Sequence, residues 1–178
     1  MNHYTVIPEI DVLEATIVLL RERHVEVYQV SVPKGKGIDK AAGENRIWKV
    51  LCGDGVPSVL PFSSEGQDVM GISATEWWQV KCKGSGEGTP QTQRNNFDRA
   101  LASVVSYYEE KPAKLPKKYA QCENARSYLG LALPASQAYL NELKRRVRQP
   151  LRRKLNLWVL LYEFNSKKIK SVSPEDDY

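Results

Sequence analysis

Two rhythms of apolar residues run along this chain. Ile10, Leu13, Ile17 and Leu20, with Val18 beside them, repeat at the 3.6-residue period of a helix with one buried face. Pro8 suits the start of that helix, and Glu9, Asp11 and Glu14 fill its first turns, where the helix dipole favours acids. The pattern predicts a helix over roughly 9–23. The rhythm then shortens to two: Val25 to Val32 reads as a strand, stopped by Pro33 and the loop Lys34-Gly35-Lys36-Gly37. Over residues 38–66, Trp48, Val50 and Leu51 call for burial, but Gly53, Gly55, Pro57 and Pro61 break any long element. A short helix or an irregular insertion is expected there.

Two strands follow, at about 67–73 and 76–83, and the glycine-rich loop Gly84–Gly88 leads into a helix near 90–110. Pro90 fits the first turn of that helix, and Phe97, Leu101, Val104, Val105 and Tyr108 form its apolar stripe. Ser127–Leu133 is a further buried strand, stopped by Pro134. A helix from about 136 carries Leu140, Leu143, Val147, Leu151 and Leu155 on one side, and Pro150 should kink or split it. Leu157–Tyr162 is a last strand, and residues 171–178 read as a mobile acidic tail. Helices and strands in this order predict an α/β protein, a mixed central sheet flanked by helices, in a single domain over 1–170.

The 178 residues suffice for one domain with a real core, and 42% hydrophobic with 26% charged residues is globular composition. No apolar run is long enough for a membrane helix. Met1-Asn2-His3-Tyr4 shows no basic segment followed by an apolar one, so no export signal is read. Cys52, Cys82 and Cys122 form no C-x-x-C pair, which argues against a zinc site and a disulfide framework and for a reducing cytoplasm.

Charge changes the picture more. Residues 1–89 carry 9 Lys/Arg against 12 Asp/Glu, whereas residues 90–178 carry 17 against 9. The basic half suggests a polyanionic partner. Its centre is the window 144–154, where Lys144, Arg145, Arg146, Arg148, Arg152, Arg153 and Lys154 meet no acid. With leucines on the buried stripe, most of these cations are expected to face outward as a band suited to phosphates. Gln93 and Arg94, at the start of the preceding helix, are a second candidate phosphate group, since helix N-termini bind anions.

The segment Asp68 to Lys81 is the most informative. In a strand, Gln79 and Lys81 share one face while Val80 and Cys82 take the other. A lysine in mid-strand beside Trp77 and Trp78 costs desolvation unless it meets an anion or water. The two tryptophans read as core and rim more than as a base-stacking platform. A tight connection through Ala74-Thr75 would bring Asp68 beside Gln79.

Asp68 followed by Gln79-Val80-Lys81 resembles the motif of the PD-(D/E)XK nucleases, the restriction-endonuclease-like superfamily. The element order is also similar to that family's core of a helix, three strands, a helix and another strand, over most of residues 9–163. The resemblance implies a restriction-endonuclease-like fold and a Mg²⁺-dependent endonuclease acting on DNA, with Mn²⁺ as a substitute and restriction or defence among its roles. It implies that Asp68 supplies the main carboxylate, that the Gln79 side-chain oxygen and the Val80 backbone carbonyl add metal ligands, and that Lys81 orients the attacking water. It also implies an acid on the first helix, for which Glu14 is the candidate, with Glu9 and Asp11 behind it. Proteins of this kind often work as homodimers. The motif departs from its family at two positions. Gln79 stands where most members have Asp or Glu, and a neutral amide holds Mg²⁺ less tightly. Gln67 stands where a proline usually precedes the aspartate. Had the acid moved, Asp98 or Glu87 would replace it. The alternative reading is a catalytically inactive module of the same fold that binds DNA or a protein.

Overall fold

The computed structural model describes residues 6–33, 39–52, 62–63, 66–86, 90–112 and 115–178. The first helix, α1, spans Glu9–Glu22, close to the range its periodicity predicts. It ends at Arg23, and His24 turns the chain in the left-handed region, φ 58°, into β1, Glu26–Val30. The uncertain stretch that follows contains α2, Lys40–Cys52; residues 53–61, where the breakers cluster, lie outside the described residues. Strands β2, Val69–Ile72, and β3, Glu76–Cys82, come next. Helix α3 spans Pro90–Ser106, and a 3-10 helix over Lys117–Cys122, which no periodicity announced, leads into β4, Arg126–Pro134. Pro150 splits the next helix as expected, giving α4, Gln137–Arg146, and α5, Gln149–Leu155. Strands β5, Leu157–Glu163, and β6, Lys168–Val172, complete the order.

The strands form one six-stranded mixed sheet in the order β1-β2-β3-β4-β5-β6. Pairs β3–β4 and β4–β5 are parallel, and the other three are antiparallel. The parallel pairs require crossovers, which α3 and the α4–α5 pair supply. The protein is therefore an α/β protein with helices packed on a mixed sheet.

Alternation along the strands divides the core between two faces. Trp78, Val80 and Cys82 of β3 join Leu13, Ile17 and Leu20 of α1 on one face. On the other, Leu129, Leu131 and Leu133 of β4 pack against Phe97 and Val104 of α3 and Tyr139 and Leu143 of α4. Trp77 turns to that second face, against Ile72 and Tyr119 of the 3-10 helix. Both tryptophans are interior. Trp78 stacks on Tyr128 with ring centroids 5.0 Å apart, and Arg23 lies over the rings of Trp78 and Trp158.

The tail differs from expectation. Lys168–Val172 pairs with β5, and the residues beyond it dock on α5 instead of trailing free. The Tyr178 hydroxyl donates to the Val147 carbonyl at 2.7 Å, and Gln149 donates to the Glu175 carbonyl at 2.6 Å. The sequence missed β6 because Lys168, Lys170 and Ser171 give an exposed edge strand too little apolar alternation to register. The three cysteines are unpaired, and among the described residues no helix is long and apolar enough to cross a membrane.

Candidate active site

The hairpin between β2 and β3 closes at Ala74–Thr75, and it pairs residues placed symmetrically about that turn. Val69 is opposite Val80, and Met70 is opposite Gln79. Asp68, one residue before β2, is thus not the residue opposite Gln79, and its N–H donates to the Val80 carbonyl at 3.0 Å. Gln79 and Lys81 share one face of β3 near the end from which the chain leaves for α3, and the Asp68 carboxylate meets Lys81 there.

Asp68 is buried and both its oxygens are engaged. Oδ1 lies 2.8 Å from Lys81 Nζ, and Oδ2 accepts the Cys82 N–H at 2.7 Å. Burial pushes its carboxyl up to about 6, although Lys81 and the Cys82 N–H both pull the other way. Burial also works against the Lys81 ammonium, but Asp68 outweighs it and holds Lys81 above its ordinary value. At neutral pH the pair is ionised.

Gln79 is only 1% exposed and its amide is held from both ends. Nε2 donates to the Tyr107 carbonyl at 3.0 Å, just beyond the end of α3, and Oε1 accepts from Gln67 Nε2 at 2.8 Å. A carbonyl can only accept, so the Tyr107 contact fixes which end of the Gln79 amide is oxygen. Tyr107 also ties down the approach to β2, because its hydroxyl donates to the carbonyl of Gly66 at 3.2 Å. Gly66 has φ 89°, a conformation that glycine adopts without strain.

The start of α1 is pinned to the exit of β3. Ile7 N–H donates to Ser85 Oγ at 2.9 Å, and Ser85 N–H donates to the Ile7 carbonyl at 2.9 Å. Gly84 allows the approach: a Cβ there would meet the Ile7 carbonyl oxygen and lie 2.6 Å from the Glu9 nitrogen. From α4, the Tyr139 hydroxyl donates to the Gly84 carbonyl at 3.0 Å. This packing brings Glu9 to Lys83 at 2.5 Å, and its charge helps raise the Asp68 carboxyl.

Glu9 is therefore the first-helix acid at this end of the sheet, and Glu14 is not. Glu14 accepts from Arg46 Nε of α2 at 2.6 Å, and Asp11 meets the same guanidinium at 2.7 Å. Helix periodicity favoured neither acid, because the choice rests on Ile7 meeting Ser85, 78 residues away. Asp98 is occupied by Arg146, and Glu87 lies outside the described residues.

The basic band is less open than its sequence suggested. Buried Glu142 gathers Arg145 at 2.8 Å, Arg146 at 3.3 Å and Arg94 of α3 at 3.5 Å. Gln93 is half-buried on α3. Arg152, expected on the phosphate-binding face, is 1% exposed. It donates to the carbonyls of Ser173, at 2.7 Å, and Asp176, and its guanidinium lies 4.5 Å from the Tyr178 ring centre. Arg153 pairs with Glu175 at 2.7 Å. Lys144, Arg148 and Lys154 remain exposed, with no salt bridge among the described residues.

Among the described residues no three His, Cys, Asp or Glu side chains gather into a metal site. The oxygens near the end of β3 already have partners within the protein: Asp68 with Lys81 and the Cys82 N–H, the Gln79 amide with Gln67, and the Val80 carbonyl with the Asp68 N–H. Mg²⁺ is commonly held by one or two carboxylates, with waters and substrate phosphates completing its shell. Comparison of the chain with family models, with curated proteins and with solved structures gives no match to any of them.

Proposed function

We propose that the chain is a metal-dependent nuclease that hydrolyses phosphodiester bonds in DNA, built on a restriction-endonuclease-like core. The observation that carries this reading is the contact of Asp68 with Lys81 at 2.8 Å, with Gln79 two residues before Lys81 on the same strand. The order α1, β1, β2, β3, α3 and β4, with β4 parallel to β3, supports it once α2, inserted between β1 and β2, and the 3-10 helix before β4 are set aside, because that is the element order the motif implies.

Asp68 and the Gln79 oxygen would hold Mg²⁺, with a smaller share for the Val80 carbonyl, which already accepts the Asp68 N–H. When bound, the ion supplies charge neutralisation at the phosphate and a more acidic water. Lys81, ionised and fixed by Asp68, presents donors to the attacking water and to charge developing on the phosphate. Lys144 and Arg148 hold the flanking phosphates, with the arginines that Glu142 organises beside them. Lys83 stands by the same exit of β3, partly offset by Glu9.

The test is cleavage of plasmid and single-stranded DNA with Mg²⁺ or Mn²⁺ by the wild type, Asp68→Asn and Lys81→Met. Metal-dependent cleavage that falls at least about a hundredfold in both variants is expected. No cleavage, or cleavage equal in all three, overturns the reading. A second reading, an inactive DNA-binding module, is favoured by one observation: both Asp68 oxygens and both ends of the Gln79 amide already have partners within the protein. It predicts DNA retention without cleavage, weakening steeply with salt.

A further inference from the structure

Helices α3 and α4 meet at a buried acid with more cations around it than it can neutralise. Glu142 of α4 is only 9% exposed. Its Oε2 accepts from Arg145 at 2.8 Å and from Arg146 at 3.3 Å, and its Oε1 lies 3.5 Å from Nε of Arg94 on α3. Arg146 is also held by Asp98 and lies over the Phe97 ring, so its charge is satisfied within the cluster. Arg94 and Arg145 have no other acid among the described residues, and the side chain of each is more than half exposed. We propose that Arg94 and Arg145 form a fork, set by Glu142, that grips a backbone phosphate of a nucleic acid across the seam between α3 and α4. This inference rests on the DNA-binding part of the reading above and needs neither the metal nor the cleavage step.

A brace between two helices needs one counter-charge, and Glu142 has three. Guanidinium groups gathered on one carboxylate repel each other, and an anion arriving on their open side relieves that repulsion. Each guanidinium carries five N–H donors in a fixed plane. Arg94 turns its Nε to Glu142 and Arg145 one Nη, so the other donors of both are unbonded among the described residues. Guanidinium donors match phosphate oxygens in geometry as well as in charge. The carboxylate brings one negative charge to the site, but it also orders two long side chains before a ligand arrives, which lowers the entropy lost on binding. The position suits the role. Tyr139, one turn before Glu142 on α4, donates to the Gly84 carbonyl, so the fork lies one turn of α4 beyond the point where that helix meets the exit of β3. Glu142 is a positioning residue, acting through the two arginines.

The experiment measures binding of the full chain to a short DNA duplex by fluorescence anisotropy, in EDTA and at several salt concentrations, so that metal and cleavage play no part. The wild type is compared with Glu142→Gln, Asp98→Asn, Arg94→Ala, Arg145→Ala and Arg94→Lys, each shown to be folded by urea unfolding. Glu142→Gln and Asp98→Asn remove the same charge from the same cluster, and if charge alone mattered both would tighten binding to a polyanion. The fork predicts that Asp98→Asn does not weaken binding, whereas Glu142→Gln weakens it roughly three- to tenfold, because the arginines lose the carboxylate that aims them. Arg94→Ala and Arg145→Ala should each weaken binding and lower the slope of log K against log salt by about 0.9. Arg94→Lys should keep that slope and recover only part of the affinity, since an ammonium lacks the planar pair of donors. Glu142→Gln binding as well as the wild type or better, or Arg94→Lys binding as the wild type does, overturns the fork and leaves a diffuse basic surface. A wild type that binds no DNA at low salt overturns the fork and the DNA-binding reading together.

Discussion

Lys81 Nζ, from β3, lies 2.8 Å from Oδ1 of Asp68, the residue that precedes β2, and the two charges are buried to different degrees. Asp68 is the deeper, and burial pushes its carboxyl from an ordinary 3.8 to about 6 in spite of the ammonium beside it. The folded chain therefore binds this proton more tightly than the unfolded chain. The Asp68 contribution to stability is full below pH 3.8, declines as pH rises between the two values, and is gone above about 6. Asp68→Asn should lack this slope. Urea unfolding of the two proteins at several pH values should show the wild type losing ground to the variant across that window. Mn²⁺ binding should have the opposite dependence and fall as pH drops through about 6, because the proton and the cation compete for one carboxylate.

Replacing Lys81 tests the same pair from the other side. Lys81→Met keeps the stem and removes the charge, leaving Asp68 with the Cys82 N–H and no counter-ion. Breaking a buried pair from one side is costly, and with Lys81 only half-buried the loss at pH 7 should be roughly 2 kcal/mol. At pH 5, where Asp68 can take up a proton, the loss should shrink. A pH-independent loss in chemical denaturation would mean that Lys81 stabilises the sheet by packing alone.

The sequence made the strand pair legible because alternation within β2 and β3 is a local property. The same holds for α1, whose buried stripe Ile10, Leu13, Ile17 and Leu20 sits within one face. The place of Asp68 was misjudged, since Met70 is the residue opposite Gln79 and the Asp68 carboxylate meets Lys81 instead. The identity of the first-helix acid was not legible at all, because Glu9 gains its place from the bridge between Ile7 and Ser85. Arg152 misled for a related reason. Seven cations in eleven residues read as one solvated band, and nothing local says that Tyr178 will come to lie under one of them.

Gly84 should be the least replaceable residue near the site. Its missing Cβ admits the Ile7 carbonyl, the Pro8 carbon and the Glu9 nitrogen, all backbone atoms that cannot swing aside. Gly84→Ala should therefore move the start of α1, carrying Glu9 away from Lys83, and cost roughly 2–3 kcal/mol by the overpacking it forces. Thermal unfolding reads the loss of stability. Amide exchange at Ile7 and Ser85, whose backbones bond each other, reports whether the damage is centred there.

Arg152 should behave as a structural residue. Removing it leaves the carbonyls of Ser173 and Asp176 without their donor and strips the cation from the Tyr178 ring. Arg152→Ala should destabilise the protein by roughly 2–3 kcal/mol. It should also expose residues 173–178 to proteolysis at a rate the wild type does not show. A stable variant with an equally protected tail would show that Tyr178 and the Gln149–Glu175 contact suffice to hold it.

The exposed cations should divide from the buried ones in DNA binding, and ionic strength separates the two cases. Each phosphate contact releases counterions, so losing one from duplex DNA lowers the slope of log K against log salt by about 0.9. Lys144→Ala and Arg148→Ala, at positions without a salt bridge among the described residues, should each weaken binding and flatten that slope by about this amount. Arg153→Ala should have a smaller effect, because Glu175 already offsets its charge at 2.7 Å. Arg152→Ala, measured at a temperature where it is fully folded, should leave the slope unchanged, since a guanidinium 1% exposed cannot meet a phosphate. If Arg152→Ala alone flattened the slope, residues 173–178 would have to leave α5 when DNA binds, and the docked tail would be one of two states.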